Sequence, residues 1–231
     1  MITRIQKPAA PARDTIAPSD LTFGLSTCQR CLWIKYWFKI TMPGQFPLVK
    51  PLSTAQEEHF RRAATQDLDP HLANGVVKQW GQWVKSAPIE IDGKASRWRI
   101  LGIYDLLAHY DDGSVGIIDC KVSDSDRDNA QFYAPQLEAY AFALENPDKG
   151  QPFPVSSMGL LIWKLDGVTP TADGTFGFGV NQQYQHVTRD QAQFKSLISN
   201  LIEVIEGELP EAGANCDTCN YLSKRLAIEE S

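Results

Sequence analysis

The sequence contains no run of about 18 apolar residues, the length a membrane-crossing helix requires. Its most apolar candidate, CLWIKYWFKI, is interrupted by Lys35 and Lys39. The opening stretch MITRIQKPAAPARDTIAPSD lacks an apolar core of signal-peptide length. A cytoplasmic protein with no membrane segment is therefore the expectation. A surplus of positive charge is also missing: 22 Lys and Arg against 28 Asp and Glu give a formal charge of −6. That excludes a chain that coats nucleic acid through bulk charge, while leaving room for a local basic groove. It also suits a site where carboxylates gather to hold cations. Cysteine is scarce and odd in number, five in 231 residues, which excludes complete disulfide pairing and fits four plus one. In the cytosol such cysteines bind metal or catalyse more often than they form disulfides. No internal repeat is visible, and no zinc-finger or helix-turn-helix reader, so sequence-specific base readout is not expected.

What is present is ordinary globular material, 43% hydrophobic and 22% charged, in a chain long enough for one sizeable domain. Residues 1–20, rich in Pro, Ala and Asp, read as a flexible leader, and residues 21–231 as one domain. STCQRCLWIKYWFK predicts a helix from Ser26 to Lys39, which MPGQFP breaks. STAQEEHFRRAATQ starts a second helix, with Ser53 and Gln56 as a capping box. Residues 68–85 read as helix or loop. RWRILGIYDLLAHY and VGIIDCKV flank DDGS, a hairpin signal. NAQFYAPQLEAYAFALE reads as a helix with Pro135 in or near its first turn. VSSMGLLIWKL and TFGFGVNQQYQHV read as strands, and TRDQAQFKSLISNLIEVIEGE as an amphipathic helix capped by Thr188. The order of elements predicts a mixed α/β fold, a central mixed sheet flanked by helices.

Within the predicted hairpin, GIIDCKVSD places Asp119 and Lys121 two apart, on one side of a strand, with Cys120 pointing the other way. Asp105 lies on the partner strand with apolar neighbours on both sides. Charge inside an apolar strand is costly unless paired or metal-bound, and two carboxylates repel unless a cation lies between them. Mg²⁺ suits such a place, because it is a hard ion that one or two carboxylates hold while it keeps waters and takes a substrate phosphate. The competing reading is a solvated Asp119–Lys121 pair on an edge strand. Downstream, Gln136 and Tyr140 stand four apart on one helix face. His59 lies upstream, with Glu58 or His71 as alternatives in its role.

In their order and spacing, His59, GIYD (Asp105), IIDCK (Asp119, Lys121) and QLEAY (Gln136, Tyr140) resemble the successive motifs of the RecB-type branch of the PD-(D/E)XK nucleases, over residues 21 to 222. The chain departs from that branch at Ala55, where a glycine commonly precedes the histidine. The resemblance implies a metal-dependent phosphodiesterase with a PD-(D/E)XK core. Asp105, Asp119, His59 and the backbone carbonyl of Cys120 would hold Mg²⁺ or Mn²⁺. Lys121 would position the attacking water and offset charge on phosphorus, while Gln136 and Tyr140 would orient Lys121 or touch the nucleic-acid backbone.

The other cysteines form two pairs, Cys28/Cys31 in CQRC and Cys216/Cys219 in CDTC. Each C-x₂-C aims two sulfurs at one ion, and two pairs complete a four-thiolate site that would join the chain ends. Unrelated reduced thiols, or a redox role, are the alternatives. LSTCQRCLWIKYW and CDTCNY look like the cysteine-bearing ends of iron–sulfur RecB-type nucleases, including the CRISPR-adaptation exonucleases. That likeness implies a [4Fe–4S] cluster, with Zn²⁺ as the alternative, although the two-and-two division differs from the usual one-and-three. Basic and aromatic residues interleave around Arg30, Lys35, Arg97 and Arg99, which are candidate nucleic-acid contacts. The competing reading buries Trp33 and Trp37 in the core. The expected substrate is DNA, single-stranded or with an exposed end, and the expected reaction exonucleolytic. A non-catalytic nucleic-acid-binding module with structural zinc is the alternative, and helicase or other DNA-processing partners stay open.

Overall fold

Two apolar strands within residues 99–123, buried on both faces, build the centre of the molecule. The computed structural model describes residues 6–41, 48–123 and 128–229. In chain order the elements are β1 (Thr15–Ile16), a 3₁₀ turn (Pro18–Leu21), α1 (Phe23–Thr27), α2 (Gln29–Phe38), α3 (Val49–His59), α4 (Thr65–Leu68), β2 (Gly75–Lys85), β3 (Glu90–Ile91), β4 (Lys94–Ala95), β5 (Arg99–Tyr110), β6 (Val115–Ser123), α5 (Ala130–Glu145), β7 (Val155–Pro170), β8 (Phe176–His186), α6 (Gln191–Glu206) and α7 (Asp217–Glu229).

The main sheet is mixed, as the sequence predicts. β2, β5 and β6 are consecutive antiparallel neighbours, β6 runs parallel to β7, and β8 returns antiparallel. A parallel pair needs a crossover, and α5 supplies it between β6 and β7. Successive side chains on β5 and β6 go to opposite faces. Leu107, Ile117 and Leu160 join a core with α5 and α6, while Leu106, Ala108, Ile118 and Cys120 join a second core with Phe60 and Leu68. Burial of Cys120 on that second face agrees with its expected orientation. Helices thus cover both faces of a mixed sheet. Among the described residues, no helix is long and apolar enough to cross a membrane.

Several local expectations are corrected. The helix expected over 26–39 is two: Cys28 adopts extended backbone between α1 and α2, and α2 stops where Lys39 turns left-handed. The second helix begins four residues earlier than Ser53, which removes the expected capping box. Residues 75–85, part of a stretch read as helix or loop, form a long strand paired along β5. Pro135 lies in the second turn of α5, near the first as expected. Asp190, not Thr188, caps α6, by accepting a hydrogen bond from the Gln193 N–H at 2.8 Å. Before residue 21 the chain is also engaged: Thr15 and Ile16 pair with the start of β5 and Ile16 is fully buried. The breaker MPGQFP falls on residues 42–47, outside the described residues.

Candidate active site

Asp105 on β5 and Asp119 on β6 project from the face that carries α5, following the phase of Leu107 and Ile117. Asp119 is 3% exposed. One of its oxygens accepts a 2.9 Å hydrogen bond from Gln136 Nε2, and the other pairs with the Lys121 ammonium. Asp105 accepts a 2.7 Å hydrogen bond from the Cys120 N–H, which ties the two strands at the site. Burial, followed by the charge of Asp119, pushes the Asp105 carboxyl up to about 8. Burial alone would lower the Lys121 pKa, but Asp119 and Asp105 outweigh it and raise the net value. The ammonium therefore stays protonated. Its Nζ also lies 4.7 Å from the centroid of the Tyr133 ring.

Gln136 and Tyr140 act on the strands from α5. Gln136 holds Asp119, whereas Tyr140 donates 2.6 Å to the Ile103 carbonyl on β5. This contact requires Gly102: a Cβ there would stand 2.8 Å from Pro18 Cδ and 2.9 Å from Tyr140 Cε1.

On α3, the residue electrostatically facing the carboxylates is Glu57, which sequence reasoning missed. Burial raises its pKa, Arg61 lowers it, and Asp119 raises it again; Glu57 in turn raises Asp105. His59 is exposed and packs edge-on against Phe60 and Trp163, with ring centroids 4.7 and 6.0 Å away. Of the two alternatives, Glu58 pairs with Arg61 at 3.5 Å and His71 with Asp69 at 3.1 Å, both on exposed surface. A helical phase of 100° per residue separates Glu57 from His59 by more than half a turn. That phase, with Gln56 buried against the Leu161 carbonyl at 2.7 Å, is the signal that picks out Glu57. Glu57, Asp105 and Asp119 are hard oxygen donors, and the charge of Asp119 raises the pKa of both Glu57 and Asp105, a conflict that a hard divalent cation would relieve.

The four terminal cysteines come together, their sulfurs all within 4.8 Å of one another. Sulfur separations are 3.6 Å for Cys31–Cys219, 3.7 Å for Cys31–Cys216 and 3.8 Å for Cys28–Cys219. Each pair opens a helix, α2 or α7, so two helix N-termini face the thiolates. Burial raises the Cys28 thiol, but the N–H groups of Cys31 and Gly213 outweigh it and bring it down to about 7. Four sulfurs at about 2.3 Å around one tetrahedral ion stand about 3.8 Å apart. A four-iron cluster keeps its irons and sulfides between the thiolates and holds them about 6 Å apart. The three separations given lie at the single-ion spacing, and four clustered thiols form a donor set for a metal. The expected four-plus-one division does appear, with Cys120 buried elsewhere.

The four expected nucleic-acid contacts all have partners in the fold. Arg30 reaches the Pro210 carbonyl at 3.4 Å, and Lys35 pairs with Asp20 at 2.5 Å. Arg97 donates to the Pro11 carbonyl at 3.5 Å and lies over Trp98, while Arg99 faces Asp148 at 3.6 Å. Trp33 and Trp37 are buried, their indole N–H groups bonded to Gly207 and Ile205 carbonyls.

Comparison with known proteins gives one family: a model described as "PD-(D/E)XK nuclease superfamily" matches residues 16–223. No curated protein matches the chain. A solved structure described as "Crystal structure of SSO0001" is 16% identical, with 83% of this chain and 77% of that chain covered at a TM-score of 0.47.

Proposed function

Because the chain belongs to the PD-(D/E)XK nuclease superfamily, we propose that it is a metal-dependent deoxyribonuclease of RecB-like type, hydrolysing phosphodiester bonds in single-stranded or end-exposed DNA as an exonuclease. One observation carries this reading: the buried Asp119 and the half-buried Asp105 share a hairpin with a charged Lys121. Mg²⁺ or Mn²⁺ would be held by Asp105, Asp119 and the Cys120 carbonyl, with Glu57 or His59 on α3 completing the set. The ion supplies Lewis-acid polarisation of the phosphate and a bound water of lowered pKa.

The chain's own residues do the rest. Lys121, held as an ammonium, positions water and offsets charge growing on the phosphate oxygens rather than removing a proton. Gln136 fixes the Asp119 carboxylate, and Tyr140 fixes β5 two residues before Asp105. For the four cysteines, the sulfur spacing supports Zn²⁺ as a structural clamp between α2 and α7. The nuclease reading extends over residues 12–229, since the stretch before residue 21 pairs with β5 and packs on α2.

Cleavage of end-labelled single-stranded, duplex and circular DNA with and without Mn²⁺ tests the function. Asp119→Ala and Lys121→Ala are each expected to lower the rate by at least about 100-fold. Full activity in both folded variants would refute the site.

A further inference from the structure

Three aromatic rings from two helices meet beside the Lys121 ammonium. Phe23 opens α1, and Phe132 and Tyr133 lie in the first turn of α5. The ring centroids are 5.0 Å apart for Phe23–Phe132, 5.1 Å for Phe132–Tyr133 and 5.9 Å for Phe23–Tyr133. Tyr133 is the inner ring, 4.7 Å from Lys121 Nζ. The outer two are left to water, Phe23 at 49% and Phe132 at 41% exposure. Packing does not account for this, because a phenylalanine gains its stabilisation by leaving water. The ledge is continuous with the active site: one ring touches the residue that faces the phosphate, and the next two continue outward. Phenylalanine offers a base a π-face and no hydrogen bond, so the ledge would hold any base without choosing among them. Bases inside a duplex are stacked on both sides and leave no free face.

We propose that Phe23 and Phe132 form a stacking subsite for unpaired bases next to the scissile phosphate, which selects single-stranded substrate. This rests on the nuclease reading above and adds to it the residues that would discriminate strands. It also moves the stacking role from Trp33 and Trp37, which are buried, to a second set of aromatics that the sequence did not single out.

The test measures binding of fluorescent single-stranded and blunt duplex oligonucleotides to the full chain in Ca²⁺, together with 2-aminopurine quenching along the strand. Phe23→Ala, Phe132→Ala and the double variant should weaken single-strand binding by about 5- to 100-fold, the range of lost base–aromatic stacking, and abolish quenching. Duplex binding should shift less than about 2-fold, and Phe132→Trp should restore the single-strand affinity. Phe176→Ala, on an exposed ring of the β7–β8 ribbon, is the control and should change neither. Thermal melting confirms that each variant is folded. Equal losses on single strand and duplex, or no loss on either, would overturn the subsite. A wild type that shows the strand-selective binding pattern but cleaves nothing would overturn the nuclease reading alone. One that cleaves while the variants bind normally would overturn the subsite alone.

Discussion

Asp105 sets a quantitative expectation for metal binding. In the metal-free protein its carboxyl is pushed up to about 8, first by burial and then by the charge of Asp119. A proton therefore occupies the position a cation would take, and the ion must displace it. A single competing proton with a pKa of about 8 weakens apparent affinity by about 100-fold at pH 6, about 11-fold at pH 7 and about 2-fold at pH 8. Mn²⁺ should consequently bind about 50-fold more tightly at pH 8 than at pH 6, and change less than about 2-fold from pH 8 to pH 9. The Glu57 shift has the same direction and can only steepen the rise. Folding stability without metal has the opposite trend. A carboxyl raised from 3.8 contributes stability that is complete below about pH 4 and lost as pH climbs through about 8. Calorimetric titration with Mn²⁺ in two buffers of different ionisation enthalpy counts the released protons directly. Close to one should leave at pH 7, and Asp105→Asn should bind weakly, with a flat pH profile. Wild-type affinity that is flat from pH 6 to 8, with no proton released, would refute this account of the site.

Two further outcomes concern the scaffold. Purified without oxygen, the protein should be colourless and carry one zinc per chain; Cys31→Ser should lose the metal, and a brown protein absorbing near roughly 400 nm would overturn the single-ion assignment. Arg189 joins Glu138 on α5, 3.1 Å away, to Glu145 at 2.5 Å and to the Val155 carbonyl at 2.9 Å. Arg189→Ala would strand the buried Glu138 carboxylate and should cost about 3–5 kcal/mol in denaturant unfolding; a loss below about 1 kcal/mol would show that the pair does not hold α5 to β7.

The hairpin was the most legible part of the sequence, because two apolar runs flank a DDGS turn within 25 residues. Asp105, Asp119 and Lys121 stand together for the same reason: their relation is fixed by strand phase and one antiparallel register. β2 was not legible, since GVVKQWGQWVK is half-exposed along its length and alternates weakly, and its place is decided by pairing with β5. Glu57 was hidden because the sequence does not show which face of α3 meets the sheet, and that is decided by Gln56 packing against the Leu161 carbonyl. The sequence also could not show that Lys35 and Arg99 face acidic partners far along the chain, Asp20 and Asp148. Motif spacing reached the cysteine pairs, and the fold brings all four sulfurs within 4.8 Å of one another.

The clamp of α2 to α7 also has a consequence for the order of assembly. Cys31 and Cys216 are 185 residues apart, and closing such a loop costs about 4–5 kcal/mol in chain entropy. Domains begin folding from the N-terminus during synthesis, so Cys28 and Cys31 wait while the whole sheet is laid down. The second pair is synthesised only after the whole sheet. Under the zinc reading, metal capture therefore follows the laying down of the sheet, and a chain cut short before residue 216 would keep Asp105, Asp119 and Lys121 yet lack the latch.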